Sequence, residues 1–446
     1  MANRPTHQWE TGGKRLGAMK IEEEQAVSPQ GPMVVDPHET EKIVESLRKF
    51  DIKEVGSSKY FDQHMQLEKL NQQAHQNAAS NSDEYVLEAF LTFNKVEFLI
   101  HDLLLIEAWK EHVYPLLLQD LTGRNNSRLY FVLYHEATLV NLLEVFCYHK
   151  HVCEAAGERM LDLVDYVARK MACLNNPAAM FRDGDASSDS IGIDAKTSKE
   201  FAAKLEARTP TEELAHHTSE IDFRVCLVSV SLCRFICEHA DSLPLSVVSR
   251  LTDTHDMMIL VVPLIENPPW TRRVAATGKW QKMVDYKWTE VKPIDLMKIT
   301  KLEGQPWLTL YHLLAKSIFR DRYHLNTFRK AQMLRVRKYI NDLLLDQLPF
   351  LADIQRYMDE LAITEVPEPR SVVGGGGAGA GGIMFEQVAV LRESIVKGQQ
   401  WPEVARHQIA TVFTMTDRTD RDLAKMVEVY SNAAGGDDDE DAAAAV

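Results

Sequence analysis

Cysteine is scarce in this 446-residue chain, and the six present contain no C-x-x-C pair and none after Cys237. That spacing excludes a disulfide-stapled scaffold and the usual paired-thiolate zinc modules. Long apolar runs are missing too. The longest stretches, such as 257–265 and 225–233, reach about nine residues, where a membrane helix needs about 20. The first thirty residues carry Glu10, Glu22, Glu23 and Glu24 and no apolar segment, so no secretory signal is expected. Together these point to a cytoplasmic protein with reduced thiols. Positive charge is also in deficit, with 50 Lys+Arg against 65 Asp+Glu and a net of −15. Such a field repels phosphate, which argues against general nucleic-acid or anionic-membrane binding.

Motifs of catalysis are absent in turn. Neither G-x-S-x-G nor G-x-x-x-x-G-K-[ST] occurs. His135-Glu136 opens like a zinc-protease helix motif, but Leu139 stands where the second histidine belongs. The tract 374–382 is made only of Gly and Ala, and without a surrounding βαβ unit it reads as a linker, not a dinucleotide loop. No catalytic residue, metal ligand or cofactor is assigned.

What is present is helical period. Val96, Leu99, Ile100, Leu103 and Leu104 form one stripe; Leu139, Leu142, Leu143 and Phe146 form another; Met160, Leu163, Val164 and Val167 a third. The expected organisation is a disordered arm over 1–38, a helical region over 39–174 and a flexible loop over 175–198. A second helical region follows over 199–366, then a Pro/Gly-rich linker over 367–382, helices over 383–432 and an acidic disordered tail over 433–446. Thr209, Pro210 and Glu212 make a helix start signal, and that helix is expected to reach His239. Segment 280–291 is expected to hold a short hairpin. Amphipathic helices with short connections predict an all-α fold of α-solenoid or armadillo-like type.

Cys147, His149, His151 and Cys153 alternate with other residues. On a helix they split into two pairs about 200° apart, so two buried thiols with partly exposed imidazoles are expected rather than a zinc site. Cys226, Cys233 and Cys237 share one helical face and are expected in the core. His216-His217 is expected to be a solvated pair.

The strongest asymmetry is in charge. Residues 272–338 hold 16 Lys+Arg and five Asp+Glu, a net of +11 that leaves −26 for the rest. Arg272, Arg273, Lys279, Lys282, Lys287, Arg329, Lys330, Arg335, Arg337 and Lys338 form a candidate patch for an acidic protein partner. On a helix expected over 326–345, Phe328 and Leu334 face inward and Arg329, Lys330, Arg337 and Lys338 face solvent. The alternative is a solvated face that offsets acids of the same molecule. Trp280 and Trp288 could serve as stacking platforms for nucleic acid, a reading opposed by the acidic remainder.

Several stretches in one order carry a family resemblance: HEATLVNLLE at 135–144, LDLVDY at 161–166, DSLPLS at 241–246, PWTRR at 269–273, LEGQPW at 302–307 and LLDQLP at 344–349, with Trp401 and His407-Gln408 beyond. Over about 39–430 the chain resembles the zinc finger MYND domain-containing protein 10 family. The resemblance implies a non-enzymatic adaptor or co-chaperone for cytoplasmic preassembly of axonemal dynein arms in cells with motile cilia. It implies as partners a leucine-rich-repeat dynein assembly factor, immunophilin and Hsp90 chaperones, and dynein chains. The family's MYND finger is a two-zinc Cys/His module. With no cysteine after Cys237, no such finger is expected in the later part of this sequence. A general helical scaffold for acidic partners, a cytosolic enzyme with scattered catalytic groups and a structural axonemal component are the competing classes.

Overall fold

Each apolar stripe in the sequence becomes the buried side of a helix. The computed structural model describes residues 33–120, 127–176, 210–274, 277–365 and 388–413. The first part contains α1 (Pro37–Ser46), α2 (Ser58–Ser80), α3 (Tyr85–Thr92), α4 (Val96–His112), α5 (Tyr114–Asp120), α6 (Ser127–Cys147), α7 (Lys150–Ala155) and α8 (Arg159–Leu174). Asp36 caps α1 by accepting from the Glu39 N–H, and Val35 before it is buried under a bond from its own N–H to Gln73. The ordered chain therefore reaches back inside the arm expected over 1–38.

After the undescribed segment come α9 (Pro210–His239), α10 (Leu245–Ser249) and α11 (Met257–Glu266). Pro210 opens α9 and His239 closes it, as the start signal predicted; Thr209 itself lies outside the described residues. Three strands follow, β1 (Thr271–Arg273), β2 (Trp280–Val284) and β3 (Lys287–Val291), in an antiparallel sheet of order β1-β2-β3. The expected hairpin is β2–β3. Its loop, Asp285-Tyr286, has φ of 47° and 61° at the two residues, the primed-turn geometry that matches strand twist. The fold is thus mostly helical with one small sheet.

The remainder holds α12 (Lys301–Ala315), α13 (Ser317–Arg320), α14 (Thr327–Val336), α15 (Asp342–Gln347), α16 (Leu351–Ile363), α17 (Leu391–Val396) and α18 (Trp401–Thr411). The single helix expected over 326–345 is two helices, because Asn341 caps a new one by accepting from the Leu344 N–H. Phe328, expected inward, is exposed on the first turn of α14. The linker over 367–382, the helix near 420 and the acidic tail lie outside the described residues.

Helices α6 and α9 pack side by side at the centre, α6 also against α2 and α4, and α9 also against α8 and α12. Helix α12 carries α11 and α16 in turn. By length and composition α6 could cross a membrane, a feature that counting uninterrupted apolar runs missed. Yet 72% of its apolar window is buried inside the protein, as befits a core helix. In a simple solenoid each unit touches only its neighbours. Here α17 packs on α4 and α8, and α18 on α5 and the turn at 52–54, so late residues close over early ones.

Candidate functional site

The ten basic candidates do not form one free surface. Arg335 binds Glu266 (Nε–Oε1 2.9 Å), and Lys338 approaches the same carboxylate at 3.7 Å. Arg329 Nε reaches Asp256 Oδ2 at 2.7 Å and Arg337 reaches Asp359 at 2.5 Å. Lys330 donates to the carbonyls of Ala362 and Thr364 at the end of α16. Lys282 is buried and pairs with Glu303 at 3.0 Å. Lys279 pairs with Glu290 at 2.9 Å across the hairpin. Asp256, Glu266 and Asp359 all lie outside 272–338, so folding brings acids of the remainder onto the basic segment. Lys287 is exposed and makes no ion pair among the described residues. Arg337 and Lys338 keep 51% and 64% of their side-chain surface.

Around the sheet the ring of Trp288 is occupied by protein groups. Trp270 is buried in the core. The Arg272 guanidinium sits 3.9 Å above the Trp288 ring and donates from Nε to Gln281 Oε1 at 3.0 Å, while Trp288 stacks on Phe223 of α9. The Arg273 guanidinium lies 6.0 Å from the Trp280 ring and donates to the Gly278 carbonyl. A base cannot stack where protein groups already lie, which weakens the nucleic-acid reading.

The densest polar arrangement is one the sequence did not reveal. Glu136, fully buried in α6, accepts from Lys110 at 2.6 Å, Lys170 at 2.6 Å and the Tyr166 hydroxyl at 2.8 Å, and Lys110 also pairs with Asp222. Burial would raise the Glu136 carboxyl, but the two ammonium groups outweigh it and hold it below the ordinary carboxylate range. The preceding residue, His135, meets Asp102 Oδ2 through Nε2 at 2.9 Å and His64 Nδ1 through its own Nδ1 at 2.9 Å. With Asp102 ionised, His135 donates to it and accepts from His64, a single chain of donors from α2 through α6 to α4. Tyr60, His64 and Arg128 line a hollow of about 10 Å3 beside this chain, room for one water molecule and no more. The arrangement fastens helices together and gives a substrate no space.

The cysteines have the expected burial, but 147–153 is not the one continuous helix that the spacing assumed, since it breaks at 148–149 and Cys153 Sγ donates to the Cys147 carbonyl. Cys147 ends α6 and Cys153 lies in α7, both buried, with His149 paired to Glu84 at 2.7 Å and His151 exposed. Cys226, Cys233 and Cys237 are buried; Cys173, at the end of α8, is exposed. The histidine pair of α9 differs from expectation. Among the described residues, donors of His216, His217 and Glu220 lie within 4.8 Å of one another, and the His216 side chain is only 11% exposed.

No family model matches the chain, and no solved structure does. Among curated proteins, it is 31% identical over 366 residues to the zinc finger MYND domain-containing protein 10 homolog of Drosophila melanogaster, covering 81% of this chain and 74% of that protein. The chain belongs to the zinc finger MYND domain-containing protein 10 family.

Seen in the fold, two of the stretches that resemble this family, 135–144 and 161–166, are largely interior. HEATLVNLLE supplies His135, Glu136 and Thr138, and Thr138 donates to Glu68 at 2.7 Å. LDLVDY supplies Asp162, which accepts from the Leu391 N–H, Asp165, which binds Arg250 and His255, and Tyr166. In LEGQPW, Glu303 closes the capping box of α12 with Thr300 and holds Lys282, while Trp307 is buried. Gln408 sits in the core against Trp109. The family-like residues therefore specify how helices lock together. A cue was available in the sequence: a polar pair, His135-Glu136, inside an otherwise apolar helix needs buried partners.

Proposed function

We propose that the protein is a non-enzymatic adaptor acting in the cytoplasmic preassembly of axonemal dynein arms. Its membership of the family, over most of both chains, carries this reading. A core fastened by buried ion pairs, whose hollows beside the His64–His135 chain and beneath Phe146 each admit about one water, supports a binding scaffold over a small-molecule enzyme. The partners are those implied by the resemblance: a leucine-rich-repeat assembly factor, immunophilin and Hsp90 chaperones, and dynein chains.

The exposed part of the basic segment is where an acidic partner docks in this proposal. Lys287, Arg337 and Lys338 are its reachable charges, since Arg329, Lys330 and Lys282 are committed inside the molecule. Removing the protein from a multiciliated cell should deplete outer and inner dynein arms, scored by electron microscopy of axoneme cross-sections. Intact arms would refute the role. Affinity capture of the full chain from cytosol, with and without Lys287→Glu, Arg337→Glu and Lys338→Glu, tests the docking face separately. An unchanged partner list and salt dependence would leave the arm-assembly role standing and remove the patch.

A further inference from the structure

We propose that His216, His217 and Glu220 of α9 form a solvent-facing zinc site. The donors fall at i, i+1 and i+4 of one helix, so a single stretch of backbone presents all three. His216 Nδ1 lies 3.9 Å and His217 Nδ1 3.5 Å from the same carboxylate oxygen, Glu220 Oε2. Neither separation has the length of a strong hydrogen bond. The second has the length of a tetrahedron edge around zinc, about 3.3–3.6 Å for donors at about 2.0–2.2 Å, and the first is longer; the donor atoms of all three residues lie within 4.8 Å of one another.

Two further contacts orient the ligands. The Tyr130 ring meets the His217 imidazole edge-on, at 90° and 5.5 Å between centroids, and so limits its rotation. Glu213 Oε1 lies 3.9 Å from His217 Nε2, on the side of the ring opposite the proposed ion. Brought within hydrogen-bond reach, it would accept from the Nε2–H, the carboxylate–histidine support common behind zinc ligands. His217 and Glu220 keep 40% and 37% of their surface, which leaves a fourth position open to water. Two imidazoles and one carboxylate suit zinc better than calcium or magnesium, which prefer all-oxygen shells.

The experiment uses the full chain, stripped with a chelator, dialysed and titrated with zinc chloride by calorimetry at pH 7.5. One binding event of 1:1 stoichiometry is expected. His216→Ala, His217→Ala and Glu220→Gln should each weaken it by more than about tenfold, while His151→Ala on α7 leaves it unchanged. Cobalt in place of zinc should give visible tetrahedral bands that Glu220→Gln abolishes without altering far-ultraviolet circular dichroism, which separates ligand loss from unfolding. Binding that survives all three substitutions is an adventitious ion only and overturns the site. So does the absence of any zinc binding by the unaltered chain.

Discussion

The indole Nε1–H of Trp109 donates to the side-chain oxygen of Gln408 at 2.9 Å, joining α4 to α18 across 299 residues of chain. The Gln408 amide donates in turn to the carbonyls of Ile52 at 2.9 Å and Val55 at 3.2 Å. Both side chains are fully buried. One amide thus satisfies three otherwise orphaned groups in two segments distant from it in sequence, a high-stakes arrangement in a dry interior.

Gln408→Ala should therefore cost about 2–4 kcal/mol, since an indole donor and two carbonyls lose their partner. Thr411→Ala on the exposed side of the same helix should change stability by less than about 0.5 kcal/mol. Urea unfolding of both variants measures the difference, and equal midpoints would show that α18 contributes no lock.

Glu136→Gln leaves Lys110 and Lys170 in the core with one negative charge fewer between them. Breaking a buried ion pair from one side typically costs about 3–5 kcal/mol, and a loss in that range is expected. The carboxylate is held below its usual value, so its contribution is fully present above pH about 4.5 and disappears only as pH falls through the folded value. Glu136→Gln should accordingly be least damaging in strong acid.

Histidines set an earlier acid limit. Burial, with Arg234, Lys316 and His239 adding repulsion, pushes His312 down to about 3, and burial with His135 beside it lowers His64. Unfolded imidazoles take protons near pH about 6.5, so the stability of these neutral rings is complete above that value. It is lost as pH falls toward the folded value. Between pH 7.5 and 5.0, His312 alone should account for about 1–2 kcal/mol. His312→Phe should flatten that part of the stability–pH curve; a curve parallel to that of the unaltered protein would refute the assignment.

Cys173 should be the one fast-reacting thiol among the six. The Cys226 thiol donates to it, and Lys170 adds its positive field, which together outweigh burial and bring it down to about 6. The other five cysteines are buried, where alkylation is slow. Brief treatment with iodoacetamide at pH 7 followed by mass spectrometry should find a single modified cysteine, lost in Cys173→Ser.

Charge reversal within the basic segment should divide by partner. Arg329→Glu breaks a mostly buried pair with Asp256 and should cost about 2–4 kcal/mol. Lys287→Glu, on the solvent side of β3, should stay within about 0.5 kcal/mol. Thermal melts of the two variants decide which reversals report on binding and which on folding.

The helices were legible because their signals are local. The stripe Leu139, Leu142, Leu143 and Phe146 is a 3.6-residue period that only one face of a helix can bury, and Pro210 marks a start through its fixed φ and missing N–H. Phe328 was misplaced because period alone does not say which face of a helix packs: α14 buries Met333 and Val336 and leaves Phe328 exposed on its first turn. The choice between a docking patch and a face that offsets acids of the same molecule was left open for a different reason. A count of charges along 272–338 contains no information about Asp256, Glu266 or Asp359, which approach only when α11 and α16 pack on α14.

By itself, the amino-acid order determined what depends on near neighbours: helical content, the hairpin, buried thiols, and the ordered motifs that mark the family. Tertiary packing alone decided which charges stay free, which imidazoles share a proton, and that Gln408 returns to Trp109. Coulombic and hydrogen-bond energies depend on distance through space, and only the closed fold brings those partners within reach.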